Sequence, residues 1–446
     1  MTTPQVTHVP SRTRGSRLGE RLRQLRVSAG LTQSELAGDR FSKEYVSQIE
    51  RGKTRPTQET IDWLAARLGV DPGFLASGVS ADERTRVEAA IARAEGLTEG
   101  RNLDEAIGEL EKLRAAVAAT GVPELELRAR SAEARARFLR GDVREAATIY
   151  EELRALVEAP SFSDLDRAEV VYRLGVCRFT ISSISTAASL LDEALKLADS
   201  SGHPCDGLRS QIFYWRSRCR QRQRDWEAAR EDVELALELA QGVNDRRGLA
   251  HLYLQASLIA DRDGHWVLAR SHAERAKAIF EELSDRVHVG ILLNNLGGLQ
   301  FLLGKPDLAV EYLKNSFSVA LEVGEDVEAG RAVSSLAQVH LRTGKPELAE
   351  EQAQQALQLL DGRVDHLDEI GNVQLVLGRA LLDQGRLDEA EQALDLAEST
   401  LQQLGSASYK AAAWVAKGDL AQARGDAAGA AKLYRRAAEA LQDFRF

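Results

Sequence analysis

Methionine is nearly missing from this chain: there is one in 446 residues. Cysteine is scarce as well. The three present, Cys177, Cys205 and Cys219, are an odd number in a long chain, which excludes a disulfide framework and reads as reduced thiols in a cytosol. No apolar run approaches the ~20 residues that a membrane-spanning helix needs, so no membrane partner is expected. Met1–Gly15 lacks an apolar stretch ahead of a small-residue cleavage site, so no secretory signal is expected either. A Walker loop, His-Glu-x-x-His, Cys-x-x-Cys and Gly-x-Ser-x-Gly are all lacking. The eight histidines are scattered, and His265 and His272 read as surface residues. No metal, no cofactor and no enzymatic activity are therefore expected.

What is there begins with an uneven charge. Residues 1–80 hold 12 Lys and Arg against 8 Asp and Glu, leaving 46 against 60 for the remainder of the chain. A basic head on an acidic body suggests that only the head approaches a polyanion. Residues 1–15, with Arg12, Arg14, Pro4 and Pro10, lack periodicity and are expected to form a disordered basic arm.

Residues 16–78 read as a run of short helices. Leu18, Leu22 and Leu25 recur at helical spacing, and Gly30 ends that helix. Thr32 with Glu35 three residues on forms a capping box. Ser42 caps a helix running to about Arg51, where Gly52 supplies the stop. Pro56-Thr57 and Asp71-Pro72 open two more. In the third helix Val46 and Ile49 are spaced to face Leu36 and Leu64. Its other side carries Lys43, Glu44, Ser47, Gln48 and Arg51, whose lengths and chemistry suit base edges in a major groove. Lys43 can donate to guanine, Gln48 can pair with adenine and Glu44 can accept from cytosine.

Beyond residue 78 the chain repeats itself. An alanine recurs at 106, 146, 187, 229, 269, 309, 349, 390 and 430, in most copies five residues after a turn glycine such as Gly304, Gly344 or Gly385. Twelve residues before each alanine stands a small residue: Ala94, Ala134, Gly175, Ser217, Ser257, Gly297, Ala337, Gly378 and Gly418. Seven residues after it the column is again small, apart from Leu113 and Leu153. Small residues at fixed offsets let two antiparallel helices approach closely and let each pair stack on the next. Residues 79–446 thus read as eight to nine helix hairpins.

The segment Leu31-Thr-Gln-Ser-Glu-Leu-Ala37 … Val46-Ser-Gln-Ile-Glu-Arg-Gly52 … Pro56 resembles the Xre/Cro-type helix-turn-helix family, with the turn Gly38–Phe41 about one residue short of the usual pattern. The 40-residue pattern resembles the tetratricopeptide repeat. Together they imply an all-α fold: a five-helix lambda-repressor-like head followed by a right-handed superhelical solenoid. The first resemblance implies binding to double-stranded DNA, with Lys43, Glu44, Ser47 and Gln48 reading bases. It also implies that Gln33 bonds a phosphate and braces the reading helix; Arg17, Arg40, Arg51, Lys53 and Arg55 are the other expected backbone contacts, which position without specifying sequence.

In the tetratricopeptide family one face of each hairpin's first helix lines a groove. Here that face offers Arg135, Tyr172, Tyr214, Arg218, Arg222, Arg262, Asn294, Phe301, Arg342 and Arg379. Arginine forks bind carboxylate or phosphate bidentately, Asn294 can clamp a peptide backbone, and the aromatic rings can hold apolar side chains. A groove for a peptide, an anionic small molecule or a protein partner fits these residues. So does simple pairing of the arginines with acidic neighbours on adjacent repeats. The combined architecture resembles the peptide-responsive Rap/Rgg/PlcR regulators, which implies a cytoplasmic, ligand-controlled transcription factor, working as a homodimer on paired half-sites. A protein-interaction scaffold with an incidental helix-turn-helix is the alternative.

Overall fold

The computed structural model describes residues 14–404 and 406–442; the expected arm, residues 1–15, falls almost wholly outside them. The described residues form 23 α-helices and one short 3-10 turn at Val364–His366, without strands. No helix among them is long and apolar enough to cross a membrane. They pack as two units, Met1–Pro204 and Cys205–Phe446. The division falls inside the repeat array, with the head and the first three hairpins in one unit.

The head comprises α1 (Arg14–Ser28), α2 (Gln33–Ala37), α3 (Lys43–Glu50), α4 (Gln58–Leu68) and α5 (Pro72–Ser77). Thr32 accepts from Glu35 N while Glu35 accepts from Thr32 N at 2.7 Å, so the capping box closes in both directions. Ser42, Thr57 and Asp71 cap α3, α4 and α5 through their side-chain oxygens, each satisfying an amide that the helix start leaves orphaned. Leu22, Leu36, Val46, Ile49, Leu64 and Leu75 form the core, each at most 1% exposed. Full burial of such side chains contributes roughly 1.5–3 kcal/mol apiece. The short turn after α2 closes over aromatics: Phe41 meets Trp63 edge-on at 5.1 Å. Arg67 lies 5.4 Å from the Trp63 ring and donates through Nε to Glu35 O at 2.9 Å, which ties α2 to α4.

The same unit continues with three hairpins: α6 (Ala81–Glu99) with α7 (Leu103–Thr120), α8 (Pro123–Arg140) with α9 (Val143–Val157), and α10 (Asp164–Thr180) with α11 (Ile184–Ser200). The second unit holds six. They are α12 (Asp206–Arg222) with α13 (Trp226–Ala240), α14 (Arg246–Arg262) with α15 (Trp266–Glu282), and α16 (Arg286–Leu302) with α17 (Pro306–Val323), followed by α18 (Asp326–Arg342) with α19 (Pro346–Leu359), α20 (Leu367–Asp383) with α21 (Leu387–Gln402), and α22 (Ala407–Ala423) with α23 (Ala427–Gln442).

The recurring alanine opens the second helix of every hairpin and is fully buried in eight of the nine; Ala430 is 4% exposed. The small residue twelve positions earlier packs against the side chain four positions after the alanine. A Cβ on Gly297 would stand 2.5 Å from Leu313, and one on Gly378 would stand 2.5 Å from Leu394. Where that partner shrinks to alanine, at Ala273 and Ala353, the small position grows to Ser257 and Ala337. The glycine at the small position is thus what admits the large partner in the hairpins of Gly297 and Gly378, as close packing requires.

Candidate nucleic-acid interface and repeat-face residues

The third helix presents two unlike sides. Val46 and Ile49 are fully buried, while Lys43, Glu44 and Gln48 are exposed and Ser47 is half-buried. Arg51 is exposed at the helix end, and Lys53 and Arg55 are exposed just beyond it. Arg40 is exposed in the preceding turn, 5.8 Å from the Phe41 ring. Arg17 lies in α1, and its side chain is outside the described residues. The structure therefore brings Lys43, Glu44, Gln48, Arg51 and Lys53 to one exposed stretch.

Gln48 does not stand alone there. Its Oε1 accepts from the Thr54 hydroxyl at 3.0 Å, which fixes the amide and leaves Nε2 as the outward donor. A bidentate adenine contact uses both ends of the amide, so it needs the oxygen to share this bond or exchange it.

What the sequence did not disclose is how α3 is held. Glu50 is buried, and its carboxylate accepts from Arg26 Nε at 2.6 Å, from Arg26 Nη2 at 3.2 Å and from Gln33 Nε2 at 2.7 Å. Arg26 spends its remaining terminal nitrogen on Leu31 O at 2.8 Å. One buried carboxylate thus ties the end of α3 to α1 and to the start of α2. The hydrogen bonds to Glu50 hold the Arg26 guanidinium above its ordinary pKa, against the opposing effect of its own burial. Gln33 braces through Glu50, and since an amide carries two N–H groups, one remains for a phosphate. Gly19 of α1 completes the seat: a Cβ there would run into the carbonyl oxygens of Ile49 and Glu50.

On the repeats, two sets of arginines contrast. Some staple one repeat to the next across about 36 positions: Arg140–Asp104 at 2.8 Å and Arg386–Glu350 and Arg424–Asp388 at 2.7 Å, with Arg246–Glu282 and Arg286–Glu322 likewise. The face residues behave otherwise. Among the described residues, Arg135, Arg222, Arg262, Arg342 and Arg379 form no ion pair. Two of them lie over aromatic rings, Arg342 at 5.1 Å from Phe301 and Arg262 at 5.3 Å from Trp226, and Arg218 lies over Trp215 at 4.7 Å. Such contacts steady a guanidinium without neutralising it. Asn294, half-buried on α16, has a buried Oδ1 without a hydrogen-bond partner.

One expectation fails for a packing reason. Tyr172 is 3% exposed, and the Arg173 guanidinium lies 5.1 Å from its ring, so it belongs to the interior of its hairpin and not to an open face. Tyr214 is half-buried beneath Arg218, 5.7 Å from its ring. In the first unit Arg135 lines a cavity of about 270 Å³ with Arg128, Arg173, Glu95 and Glu169. No cluster of three or more His, Cys, Asp or Glu side chains disposed to hold a metal ion occurs among the described residues.

Residues 17–77 match the family model of a helix-turn-helix domain. Residues 131–204, 288–361 and 334–408 match models of the tetratricopeptide repeat. Over 64 residues the chain is 42% identical to the HTH-type transcriptional regulator DdrOP3 of Deinococcus deserti, covering 14% of this chain and 50% of that one; it spans only half the length of that relative. Over 54 residues it is 44% identical to the uncharacterized HTH-type transcriptional regulator y4dJ of Sinorhizobium fredii, covering 12% of this chain and 70% of that protein. The apo form of the quorum sensor NprR from B. thuringiensis shares its fold with a TM-score of 0.61 at 14% identity, over 80% of this chain and 99% of that one. Through its head the chain belongs to the helix-turn-helix-type transcriptional regulators, and behind that head it carries an array of tetratricopeptide repeats.

Proposed function

We propose that the chain is a cytoplasmic, sequence-specific DNA-binding regulator whose repeat face takes an anionic or peptide ligand. The observation that carries the first half is the two-sided α3: an exposed side of Lys43, Glu44 and Gln48 opposite a side locked by Val46, Ile49 and the buried Glu50. A reading helix must be rigid to discriminate, because each good base contact is worth only ~1–3 kcal/mol and a mobile helix averages it away. Arg40, Arg51, Lys53 and Arg55 surround that side and supply the phosphate contacts.

The second half rests on the arginines of the repeat face that carry no internal carboxylate, Arg135, Arg222, Arg262, Arg342 and Arg379. Such groups are half of a contact with an extended, acidic segment. The quorum sensor that shares this fold makes a signalling ligand a reasonable occupant. A homodimer, presenting two heads to paired half-sites, follows from the affinity that two linked contacts provide.

A mobility shift on the duplex upstream of the chain's own gene tests the DNA reading. Specific binding should survive nonspecific competitor, fall steeply with salt and vanish in Lys43→Ala/Gln48→Ala. Equal binding to any duplex would discard the reading. For the repeat face, a library of acidic peptides should yield a ligand whose affinity drops about tenfold or more in Arg342→Ala.

A further inference from the structure

Between the head and the turn joining α7 to α8 lies a cleft of about 740 Å³, within the roughly 300–1,000 Å³ common for small-molecule sites, which favour junctions of this kind. Its lining on the head side includes Ile61 and Phe74; Ala119, in the last turn of α7, and Val122, just beyond it, line it from the repeats. The only charged residues in its lining are Arg21 and Arg55, and no carboxylate joins them. The lining is mostly apolar, with Gln24 and Thr120 as uncharged polar members and the two arginines as its charges.

Arg21 is the unusual member. It is half-buried, and among the described residues its side chain makes one hydrogen bond, from Nη1 to Leu75 O at 2.9 Å. Among the described residues it has no ion pair. Arg26, five residues along the same helix, is matched by Glu50. Burial without such a partner pulls the Arg21 pKa down from its ordinary value, the signature of a charge short of compensation. Gly78 leaves the guanidinium room: a Cβ there would stand 2.7 Å from Arg21 Nη2.

We propose that this cleft binds a small amphipathic anion, a carboxylate on an apolar body, with Arg21 taking the carboxylate and Ile61, Phe74 and Val122 covering the body. The anion supplies the charge that Arg21 lacks and the apolar body removes the cleft walls from water. A consequence follows for the head, and this part rests on the DNA reading above. Arg55 lines the cleft and also stands among the phosphate contacts, so an anion in the cleft draws it away from DNA.

The test is calorimetry on the full chain with decanoate below its micellar concentration, beside decan-1-ol, which has the body without the charge. Decanoate should bind at one site and the alcohol at least about tenfold more weakly, the factor that 1.4 kcal/mol of ion pairing supplies. Arg21→Gln should weaken decanoate about tenfold or more. Because Arg21 also ties α1 to Leu75, Ala119→Trp provides a second variant: it fills the cleft from an exposed position in the last turn of α7 and should abolish decanoate binding with the unfolding temperature unchanged. No decanoate binding, equal affinity for the alcohol, or wild-type binding in both variants overturns the site. Saturating decanoate should weaken DNA binding at least threefold; unchanged DNA affinity with decanoate bound would refute the coupling through Arg55 and leave the anion site standing.

Discussion

Replacing Glu50 with Gln should loosen α3 while leaving the repeats untouched. The change is isosteric, so it isolates the charge. In the native head the Arg26 side chain is 12% exposed and that of Glu50 is 3% exposed; neither can turn to water when the other loses its charge. Breaking a buried pair by neutralising one partner costs about 3–5 kcal/mol, and an amide oxygen placed where Oε2 stands can still accept two of the three hydrogen bonds, so the lower figure applies. A loss of about 3 kcal/mol is on the order of a 100-fold rise in the open population. A head of this size has a stability of roughly 3–10 kcal/mol in total, so over all but the bottom of that range the variant stays folded while opening far more often. Hydrogen exchange resolves this region by region. Protection of the α3 amides should fall on the order of 100-fold, while the α16 amides in the second unit serve as an internal reference and should not move. A fall of less than about threefold in α3 would mean that the carboxylate is not what holds the helix. An equal fall in α16 would mean that the effect is global.

Other outcomes are expected. Gly19→Ala should lower head stability by about 1–3 kcal/mol through overpacking, because its new methyl group meets backbone carbonyls that cannot rotate away; thermal unfolding followed at Trp63 checks it. Gly378→Ala should cost a similar amount, and Leu394→Ala in the same chain should recover part of it, giving a coupling of about 1 kcal/mol or more in a double-mutant cycle. Burial drives the His251 pKa down to about 4, helped by His288, Arg247 and Arg218 and opposed by Asp285. A histidine lowered in the fold contributes stability that is present above its unfolded pKa of about 6.5 and lost as pH falls towards 4, about 1.4 kcal/mol per unit. The second unit should therefore lose about 2 kcal/mol between pH 6.5 and 5, and His251→Gln should flatten that slope in denaturant titrations. Cys177, buried and pushed up to about 12, should resist thiol reagents in the native chain and react only on unfolding.

The legible parts of the molecule were those written in local chemistry or strict periodicity. Thr32 with Glu35, Ser42, Thr57 and Asp71 each mark a helix start because a capping oxygen acts within three residues. The alanine column marks every hairpin because its volume constraint recurs at a fixed interval. What escaped depended on partners far along the chain. Glu50 looks like any surface acid of a short helix until Arg26 and Gln33 are placed around it. Arg386 and Arg342 look alike in sequence; one staples to Glu350, 36 residues back, and the other lies over the Phe301 ring. Tyr172 sits at a groove offset yet turns inward, since an offset along a helix fixes direction only to within a face. Gly19 gave no sign either, because its neighbour is the backbone of a helix 30 residues away.

Selection from a pool of random duplexes tests the reading helix most directly. The wild-type chain should enrich one motif; Lys53→Ala should enrich the same motif with weaker binding and a shallower salt dependence; Lys43→Ala/Gln48→Ala should enrich none. If the double variant recovered the wild-type motif unchanged, α3 would not be the element that reads DNA.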